Sequence, residues 1–361
     1  MGLYAGLMWY FKRGWKRLTE VNTQHAHRNR VFISVIIPFR NEFHHIDELI
    51  NDLRHQTFSP HHLEVIMVDD HSSDPGPGHL KNLKEELPWL RLIRSKVRGK
   101  KAALRQGISS ATGELVVTTD ADCRFGKNWL QTIAETYIKS SPDMIVMPVE
   151  MKNNTNLLSR FQQLDYLALQ MATAGAFGIG KPILCSGANL AFKKKSYLEA
   201  SGSVPGQKYL SGDDVFLLQA FKQQAFKIQY LKSAQSMVHT YPASTFKEFF
   251  LQRMRWGGKT PGYQDSFASQ TALIVFAANV WATILPFLII FSQPSILVWA
   301  VFMIIKAGTD WNLLNAGKRF FSVKIAPLPF LMFSVLYPFY ITAAGTGSIL
   351  VKEKWKDRKR K

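Results

Sequence analysis

The feature that most constrains this chain is an uncharged apolar run near its C-terminus. Residues 271–291 carry no charged side chain over 21 positions, and a helix of that length crosses about 30 Å of hydrocarbon. A shorter run, 295–305, is suited to the return leg of a hairpin, and a third, 326–351, is again uncharged. The sequence therefore predicts an integral membrane protein with a soluble N-terminal body and two or three C-terminal spans.

The net charge of +19 is a feature that nucleic-acid-binding proteins share, but its placement excludes that class here. Basic residues follow a short apolar start at 12–17, and seven of them crowd the tail 352–361. Charge beside apolar runs is typical of cytoplasmic loops and of contact with lipid headgroups. We therefore expect membrane lipids as partners and no nucleic acid. The first eleven residues are too short to span, and we expect an interfacial anchor or the remnant of a signal-anchor.

From residue 31 the chain alternates β-branched apolar runs with amphipathic segments, which is typical of a mostly parallel sheet covered by helices. Strands are predicted over 31–39, 63–70, 90–95, 114–123 and 143–150, and helices over 42–56, 79–88 and 100–111. The predicted division is a basic segment 1–30, a cytosolic α/β domain 31–265, a membrane region 266–351 and a tail 352–361. The two cysteines lack metal spacing and fit a reducing cytosol.

Polar side chains follow three of the predicted strands at the point where each strand ends. The clusters are Pro38 to Glu42, Asp69-Asp70 and Asp120-Ala121-Asp122. In folds of this kind the chemistry lies at the carboxyl ends of the strands, so we expect the clusters to share one crevice. Aspartates at strand ends also cap helices, and that role explains Asp74 or one member of each pair.

Asp120 and Asp122 are two positions apart, so in an extended segment their carboxylates point the same way. Two such carboxylates suit Mg²⁺ or Mn²⁺, which in turn binds substrate phosphates. No P-loop and no strand-borne G-x-G-x-x-G is present, which counts against an NTPase and a dinucleotide oxidoreductase. A metal bridging a diphosphate, with Lys100 or Arg98 nearby, supplies the same neutralisation.

Seven motifs in order over residues 31–256 resemble glycosyltransferase family 2, the inverting transferases of GT-A fold, and in particular its membrane-bound synthase-like branch. They are ISVIIPFRNE, VDDHSSD, GKKAALRQGI, TTDAD, CSGANLAFKK, SGDDVFL and QRMRW. The resemblance implies a mixed, mostly parallel sheet with flanking helices, followed by transmembrane helices. It also implies a bacterial-type inner or plasma membrane location, with the catalytic domain in the cytoplasm.

The resemblance also implies residue roles. Asp214 is expected to be the general base, Asp122 the metal ligand, and Asp70 and Asp120 contacts to the nucleotide of a uridine-diphosphate sugar. Asp213 and Asp214 are open to an exchange of roles. The remaining nucleotide contacts are Pro38, Arg40, Asn41, Glu42 and Lys100, and the contacts to acceptor or diphosphate are Gly187, Asn189, Asp213, Gln252, Arg255 and Trp256.

Two further segments leave alternatives open. Segment 155–180 has apolar residues on one helical face and either packs on the sheet or lies against the membrane as an interface helix. His239 is either a hydrogen-bonded or solvated residue, or it approaches the metal.

The resemblance implies transfer of a sugar to a glycan or lipid-linked acceptor, with inversion at the anomeric carbon. Within that class a processive synthase and a single-transfer enzyme remain open. A nucleotidyltransferase or phosphotransferase using the same metal site is the alternative enzyme class. It requires a basic loop after the first strand, where this chain has Glu42. A non-catalytic membrane scaffold is the third hypothesis.

The segment QRMRW at 252–256 lies about 15 residues before the first apolar run. On a helix Gln252, Arg255 and Trp256 fall at i, i+3 and i+4 and share a face. We expect Gln252 and Arg255 to serve the donor diphosphate and Trp256 to lie beneath the acceptor sugar.

Overall fold

The computed structural model describes residues 1–22, 31–152, 156–206, 209, 212–290, 294–350, 354–355 and 358–359. The chain divides into two compact units, each described here by itself. The sheet unit comprises Thr19–Glu150 and Cys185–Tyr241, and the helical unit comprises Met1–Leu18, Met151–Leu184 and Pro242–Lys361. Most of the basic tail 352–361 and part of the segment 1–30 lie outside the described residues.

The helices are α1 (Gly2–Arg17), α2 (Phe43–Arg54), α3 (Gly76–Glu86), α4 (Lys100–Ser110), α5 (Trp129–Ser140), α6 (Leu157–Gly178), α7 (Lys194–Ser201), α8 (Asp213–Gln223), α9 (Phe246–Gly257), α10 (Ser266–Ile284), α11 (Pro294–Gly317) and α12 (Pro327–Leu350). Short 3-10 turns are found at Pro60–His62, Ala234–Ser236, Thr260–Gly262 and Leu285–Ile290.

The strands are β1 (Ile33–Phe39), β2 (Leu63–Asp69), β3 (Leu90–Arg94), β4 (Leu115–Thr118), β5 (Arg124–Phe125), β6 (Met144–Val146), β7 (Val149–Met151), β8 (Leu190–Lys193), β9 (Ile228–Tyr230), β10 (Val238–Thr240), β11 (Lys354–Trp355) and β12 (Arg358–Lys359). The last two pair antiparallel within the tail.

The sheet unit is built on a seven-stranded sheet in the order β3-β2-β1-β4-β8-β6-β9. The strands β1 to β4 run parallel to their neighbours, whereas β8 runs antiparallel to both β4 and β6. A second sheet has the order β5-β10-β7. The predicted mixed, mostly parallel sheet with flanking helices is therefore confirmed. The strand order reverses at β1, and such a switch point opens a crevice beyond the carboxyl ends of β1 and β4.

The central strands form because their sequences are apolar on both faces. All seven residues of β1 and of β2 are buried, which is expected of parallel strands covered by helices on each side. The strand predicted over 114–123 is shorter than expected, because β4 ends at Thr118 and the chain then turns through Asp120 and Asp122. The backbone N–H of Cys123 closes that turn on the carbonyl of Asp120 at 3.2 Å.

The helical unit contains α6, which lies in the segment that was expected either to pack on the sheet or to lie against the membrane. Phe161 of α6 joins a buried apolar cluster with Phe249 and Met254 of α9 and with Phe333 and Tyr340 of α12. Segment 155–180 therefore packs among helices, and α9 belongs with the apolar C-terminal helices. This differs from the sequence-based division, which placed both segments in the α/β domain, because aromatic packing rather than chain order groups them.

The helix α1 crosses α6 at very short distance. A Cβ atom added to Gly14 would lie 1.9 Å from the carbonyl oxygen of Gly175, and one added to Gly178 would lie 2.0 Å from that of Gly14. Only glycine permits such a backbone approach. The N-terminal segment, expected to be an interfacial anchor or a signal-anchor remnant, is therefore a helix packed tightly within the helical unit.

Within the part of the chain that the structure describes, three helices are long and apolar enough to cross a membrane, namely Ser266–Leu288, Ile296–Gly317 and Pro327–Ser348. The second is longer than the predicted run 295–305, because the helix continues through Lys306 and Asp310. Lys306 is buried, and its Nζ lies 2.8 Å from Oδ2 of Asp310 one turn later. An i,i+4 ion pair inside the unit lets an apolar helix extend past two charged residues.

Candidate active site

The loop that follows β1 is tied to the loop that follows β2. Asn41 has a left-handed backbone (φ 54°), which asparagine tolerates better than most residues. Its N–H donates to Ser72 Oγ at 3.1 Å, and its Oδ1 accepts from the N–H of Ser73 at 2.8 Å. Asn41 thus fixes the rim of the crevice between its half-buried neighbours, Arg40 and Glu42. Pro38 lies inside β1, in register with Val68 of β2.

Asp74 caps a helix, which is one of the roles expected for aspartates at strand ends. Its Oδ2 accepts from the N–H of Phe43, the first residue of α2, at 2.8 Å. Its Oδ1 accepts from the N–H of Gly76 at 3.2 Å, where α3 begins. The Gly- and Pro-rich segment 74–78 therefore starts a regular helix.

Asp70 is 1% exposed, and one of its oxygens is used by the protein itself. Oδ1 accepts the N–H of Gly99 at 2.8 Å. Gly99 has φ of 120°, a conformation that favours glycine, and it immediately precedes α4. Asp70, the residue directly after β2, thus holds the turn that presents Lys100, the first residue of α4, to the crevice.

Lys100 links α4 to the acids that follow β4. Its Nζ donates to Oδ1 of Asp120 at 2.6 Å. Burial alone would lower the pKa of Lys100, but the carboxylates of Asp120, Asp213 and Asp122 outweigh burial and raise it. Lys100 therefore stays cationic, and the acids from two separate motifs lie close enough to act on one ammonium group.

Asp122 lies in an environment with excess negative charge. Desolvation raises the pKa of its carboxyl, the carboxylates of Asp120 and Glu42 raise it further, and Lys100 and His45 oppose them. Asp122 nevertheless remains exposed to solvent. The turn, rather than the extended segment that the sequence predicted, brings the two acids of the motif together.

The residues present fit a hard divalent cation that takes most of its ligands from outside the protein. Within the described residues no group of three or more His, Cys, Asp or Glu is placed to hold a metal. Mg²⁺ is commonly held by one or two carboxylates plus substrate phosphates and water. Exposed Asp122, with Asp120 beside it, offers that donor set, and its raised pKa is the sign of a charge that a cation would relieve.

Asp214 is oriented by two backbone amides. Its Oδ2 accepts the N–H of Gly187 at 3.0 Å, and its Oδ1 accepts the N–H of Val215 at 2.8 Å. The carbonyl of Gly187 in turn accepts from Oγ1 of Thr118, the last residue of β4, at 2.8 Å. Gly187 therefore ties the start of α8 to the end of the strand that carries the other acids.

Asp213 and Asp214 also border a cavity of about 310 Å³ between α4, α7 and α8. Its floor is formed by Thr118, Leu190 and Phe192, and Lys101 and Arg105 contribute cations from α4. Both acids lie in the first turn of α8, where the partial positive charge of the helix terminus accommodates carboxylates.

Asn189 lies at the centre of the sheet unit and is fully buried. Its Nδ2 donates to the carbonyls of Pro148 at 2.7 Å and Ser236 at 2.8 Å, and its Oδ1 accepts from Nε1 of Trp129 at 3.0 Å. The protein itself occupies these contacts, so the geometry indicates that Asn189 supports the segment carrying Gly187.

His239 lies on β10, and its Nδ1 is 2.9 Å from Oε2 of Glu150. His239 is therefore in contact with a carboxylate of the sheet unit. Glu150 belongs to β7 of the same small sheet.

The third group of expected site residues lies on α9 of the helical unit. This helix starts with a capping box between Thr245 and Glu248, and Gln252, Arg255 and Trp256 are all half-buried. The two residues between Gln252 and Arg255 are buried, and one of them, Arg253, is charged. Its Nε lies 2.6 Å from Oδ2 of Asp165 on α6, and its guanidinium carbon lies 4.1 Å from the centre of the Trp256 ring.

Sequence reasoning missed both Arg253 and Asp165. The signal for Arg253 was present, since Phe249, Arg253 and Trp256 are spaced i−4, i and i+3 and must share a face. No local signal marked Asp165, which is separated from Arg253 by 88 positions.

The sheet order, the switch point and the acid-lined crevice are those of the GT-A fold. Residues 34–199 match the family model described as Glycosyl transferase family 2. This match agrees with the resemblance to glycosyltransferase family 2 that the motifs indicated.

Curated relatives point the same way. The chain is 26% identical to Glycosyltransferase AglE of Haloferax volcanii over 229 residues, which cover 63% of this chain and 72% of the relative. It is 24% identical to Probable glycosyltransferase YdaM of Bacillus subtilis over 236 residues, 62% of this chain and 54% of that relative.

A solved structure shares the fold over almost the whole chain. It is the mannosyltransferase PcManGT from Pyrobaculum calidifontis in complex with GDP-Man and Mn²⁺, with a TM-score of 0.62 and 18% identity. The similarity covers 98% of this chain and 96% of that one. At this identity the likeness establishes the fold.

Proposed function

We propose that this protein is a metal-dependent, inverting glycosyltransferase of the membrane. It moves a sugar from a nucleotide-diphosphate donor to a hydroxyl group of a glycan or lipid-linked acceptor. The observation that carries the proposal is the meeting of Lys100 with Asp120, Asp122 and Asp213 beyond the carboxyl ends of the parallel strands. A crevice with carboxylates in excess of its lysine suits a cation and a diphosphate bound together.

The nucleotide is assigned to the rim built by the loops after β1, β2 and β4. Asn41 and Asp70 hold those loops in place through their own hydrogen bonds, and Pro38, Arg40 and Glu42 shape the rim beside them. Asp120 is assigned to the ribose and Lys100 to the phosphates. The family resemblance favours uridine, and the fold neighbour that binds GDP-Man makes guanosine the competing base.

Asp122 would hold Mg²⁺ or Mn²⁺, which when bound would neutralise charge that builds on the departing diphosphate. The protein's own contribution is Lys100, which the neighbouring carboxylates keep charged against the effect of burial, so that it serves as a second cation. The fold neighbour is a complex with Mn²⁺, which supports dependence on a divalent ion without distinguishing Mg²⁺ from Mn²⁺.

Asp214 is assigned as the general base. Its carboxylate takes the proton of the acceptor hydroxyl while that oxygen forms a bond to the anomeric carbon. The bond from the anomeric carbon to the diphosphate oxygen breaks, and its electron pair leaves with the nucleoside diphosphate. A single displacement inverts the configuration. The amides of Gly187 and Val215 fix the carboxylate so that no rotation is needed during the reaction, and Asp213 shares the adjoining cavity.

The helical unit is assigned to the acceptor and to the membrane. Three candidate spans favour an integral membrane protein, and we propose that the catalytic domain faces the cytoplasm with the basic tail on anionic lipid. Trp256 is assigned to the acceptor sugar, since an aromatic ring with an accessible face stacks on a pyranose. Gln252 and Arg255 are assigned to the diphosphate.

The test is a panel of UDP- and GDP-sugars with Mg²⁺ or Mn²⁺, in which nucleoside diphosphate release and product mass are measured for the wild type and for Asp214→Asn. Loss of a general base should lower turnover by about 10²- to 10⁴-fold, while donor binding by calorimetry persists. The control is Asp47→Asn, a carboxylate on α2 that is 72% exposed, and it should turn over like the wild type.

Unchanged turnover in Asp214→Asn would remove it as the base. Release of a nucleoside monophosphate from these donors would favour a phosphotransferase, and release of pyrophosphate when nucleoside triphosphates are added to the panel would favour a nucleotidyltransferase. Product mass also separates the two forms of the proposal, because a ladder of lengths indicates a processive synthase and one added sugar indicates single transfer.

A further inference from the structure

The helix α9 carries a guanidinium group between two aromatic rings. The Cζ of Arg253 lies 5.0 Å from the ring centre of Phe249 and 4.1 Å from that of Trp256. The three residues follow the i−4, i, i+3 spacing of one helical face. Of the three, only Trp256 belongs to the motif that the sequence identified, and it keeps part of its ring accessible.

A second helix holds this stack in place. Arg253 is 6% exposed, and Asp165 of α6 accepts from its Nε at 2.6 Å. The other oxygen of Asp165 accepts from the hydroxyl of Tyr337 of α12 at 3.0 Å. The next residue on α6, Tyr166, lies with its ring centre 6.2 Å from that of Trp256. Asp165 therefore fixes the guanidinium, and Tyr166 contacts the ring that the guanidinium faces.

Burial decides what Arg253 does. A buried guanidinium paired with a carboxylate is not available to a diphosphate, in contrast to half-buried Arg255. Its pKa is raised, because the charge of Asp165 outweighs the opposing effect of burial. A desolvated cation over an indole face is also among the stronger contacts of this type.

We infer that Arg253 is a positioning residue that sets the orientation of Trp256 for the acceptor sugar. The inference rests on the proposed function for the role of Trp256, but the ring orientation itself is tested separately. The guanidinium is the part that matters, since its Nε bonds Asp165 while its planar face covers the indole.

The experiment uses the full chain in detergent with 5-fluorotryptophan at all tryptophan positions. The resonance of Trp256 is assigned from a Trp256→Phe sample. Arg253→Lys keeps the positive charge for Asp165, so the fold is retained, but it removes the planar group over the indole. We expect this variant to shift or broaden the Trp256 resonance, whereas Lys247→Gln, an exposed change on the same helix, should not.

The kinetic arm compares Arg253→Lys, Trp256→Ala and the double variant. We expect Arg253→Lys to raise the acceptor KM about tenfold, as a misplaced contact does, with the donor KM unchanged. If Arg253 acts through Trp256, the double variant is no worse than Trp256→Ala alone. Multiplying effects, or an unmoved Trp256 resonance, would overturn the inference. A moved resonance in a protein that transfers no sugar would refute the proposed function and leave the orientation of Trp256 explained.

Discussion

The two units treat charge in opposite ways. In the helical unit two buried cations have carboxylate partners in contact, with Arg253 on Asp165 at 2.6 Å and Lys306 on Asp310 at 2.8 Å. In the crevice of the sheet unit, Lys100 faces a group of acids. One of them, Asp122, has its pKa raised by desolvation and by neighbouring carboxylates.

The paired charges of the helical unit stabilise the fold, whereas the excess carboxylates of the crevice are suited to binding a ligand. A paired charge in an apolar interior is costly to break but performs no chemistry on its own. An excess of one sign at an exposed site lowers stability slightly and attracts a partner of the other sign. The comparison therefore predicts opposite responses when a carboxylate is removed from each unit.

The largest effect is expected for Asp165→Asn in the helical unit. It leaves Arg253 buried without its counterion, which costs about 3–5 kcal/mol in comparable buried pairs. Since about 1 kcal/mol shifts the midpoint of a chain this size by roughly 1.3 °C, the thermal unfolding midpoint in detergent should fall by at least about 4 °C. A double variant, Asp165→Leu with Arg253→Met, removes both charges and should recover most of the loss. A single variant as stable as wild type would show that the pair is not structural.

Much of this comparison could be anticipated from the sequence. Alternating apolar runs predicted the order of strands and helices, and acids at three strand ends predicted one crevice. The uncharged runs predicted the apolar helices, because length and composition alone determine whether a helix can span.

What could not be anticipated depends on contacts between distant segments. The pairing of Asp165 with Arg253 requires two helices to pack together, and the sequence pattern of neither helix identifies the partner residue. The apolar run 295–305 is shorter than α11 for a different reason, since the run ends before Lys306 and the sequence alone does not show that Lys306 pairs with Asp310. The acids 120 and 122 were expected on a strand, but a backbone hydrogen bond made them a turn.

The second prediction concerns Asp122→Asn in the sheet unit, where the response should be the reverse of that in the helical unit. Turnover should fall about a hundredfold, a loss of about 2.7 kcal/mol in transition-state stabilisation. Because one carboxylate leaves a crowded group, the unfolding midpoint without ligand should stay the same or rise. Nucleoside diphosphate release and thermal unfolding of the same preparation provide both measurements.

A metal titration controls that result. Mn²⁺ with a bound donor should raise the unfolding midpoint of the wild type, since a ligand that binds only the folded state stabilises it, and chelation should reverse the increase. Asp122→Asn should lose that response. A fall in its stability without ligand would contradict the proposed excess of negative charge.

The smallest effect sharpens the comparison with a carboxylate of the sheet unit that lies outside the crevice. Glu64 of β2 accepts from Ser34 of β1, from Thr112 Oγ1 at 2.8 Å, and from Arg91 of β3 at 2.5 Å. Burial alone would raise the pKa of Glu64, but these hydrogen bonds outweigh burial and lower it. Glu64 is therefore a paired charge like those of the helical unit, although it lies in the same unit as the crevice.

The sign of the pH dependence follows from that lowered pKa. A carboxyl with a lower pKa in the folded state stabilises the fold above its unfolded pKa, about 4.3, and loses this contribution as pH falls through the folded value. Glu64→Gln should be less stable than wild type by about 1–2 kcal/mol at neutral pH. The gap should narrow on acidification below about pH 4.3, when the wild-type carboxyl takes up its proton. Unfolding midpoints of wild type and Glu64→Gln, measured across that pH range, test this prediction. The control is Glu86→Gln, whose side chain is 69% exposed, and it should be as stable as wild type throughout. A gap that persists at low pH would mean that shape rather than charge makes Glu64 structural.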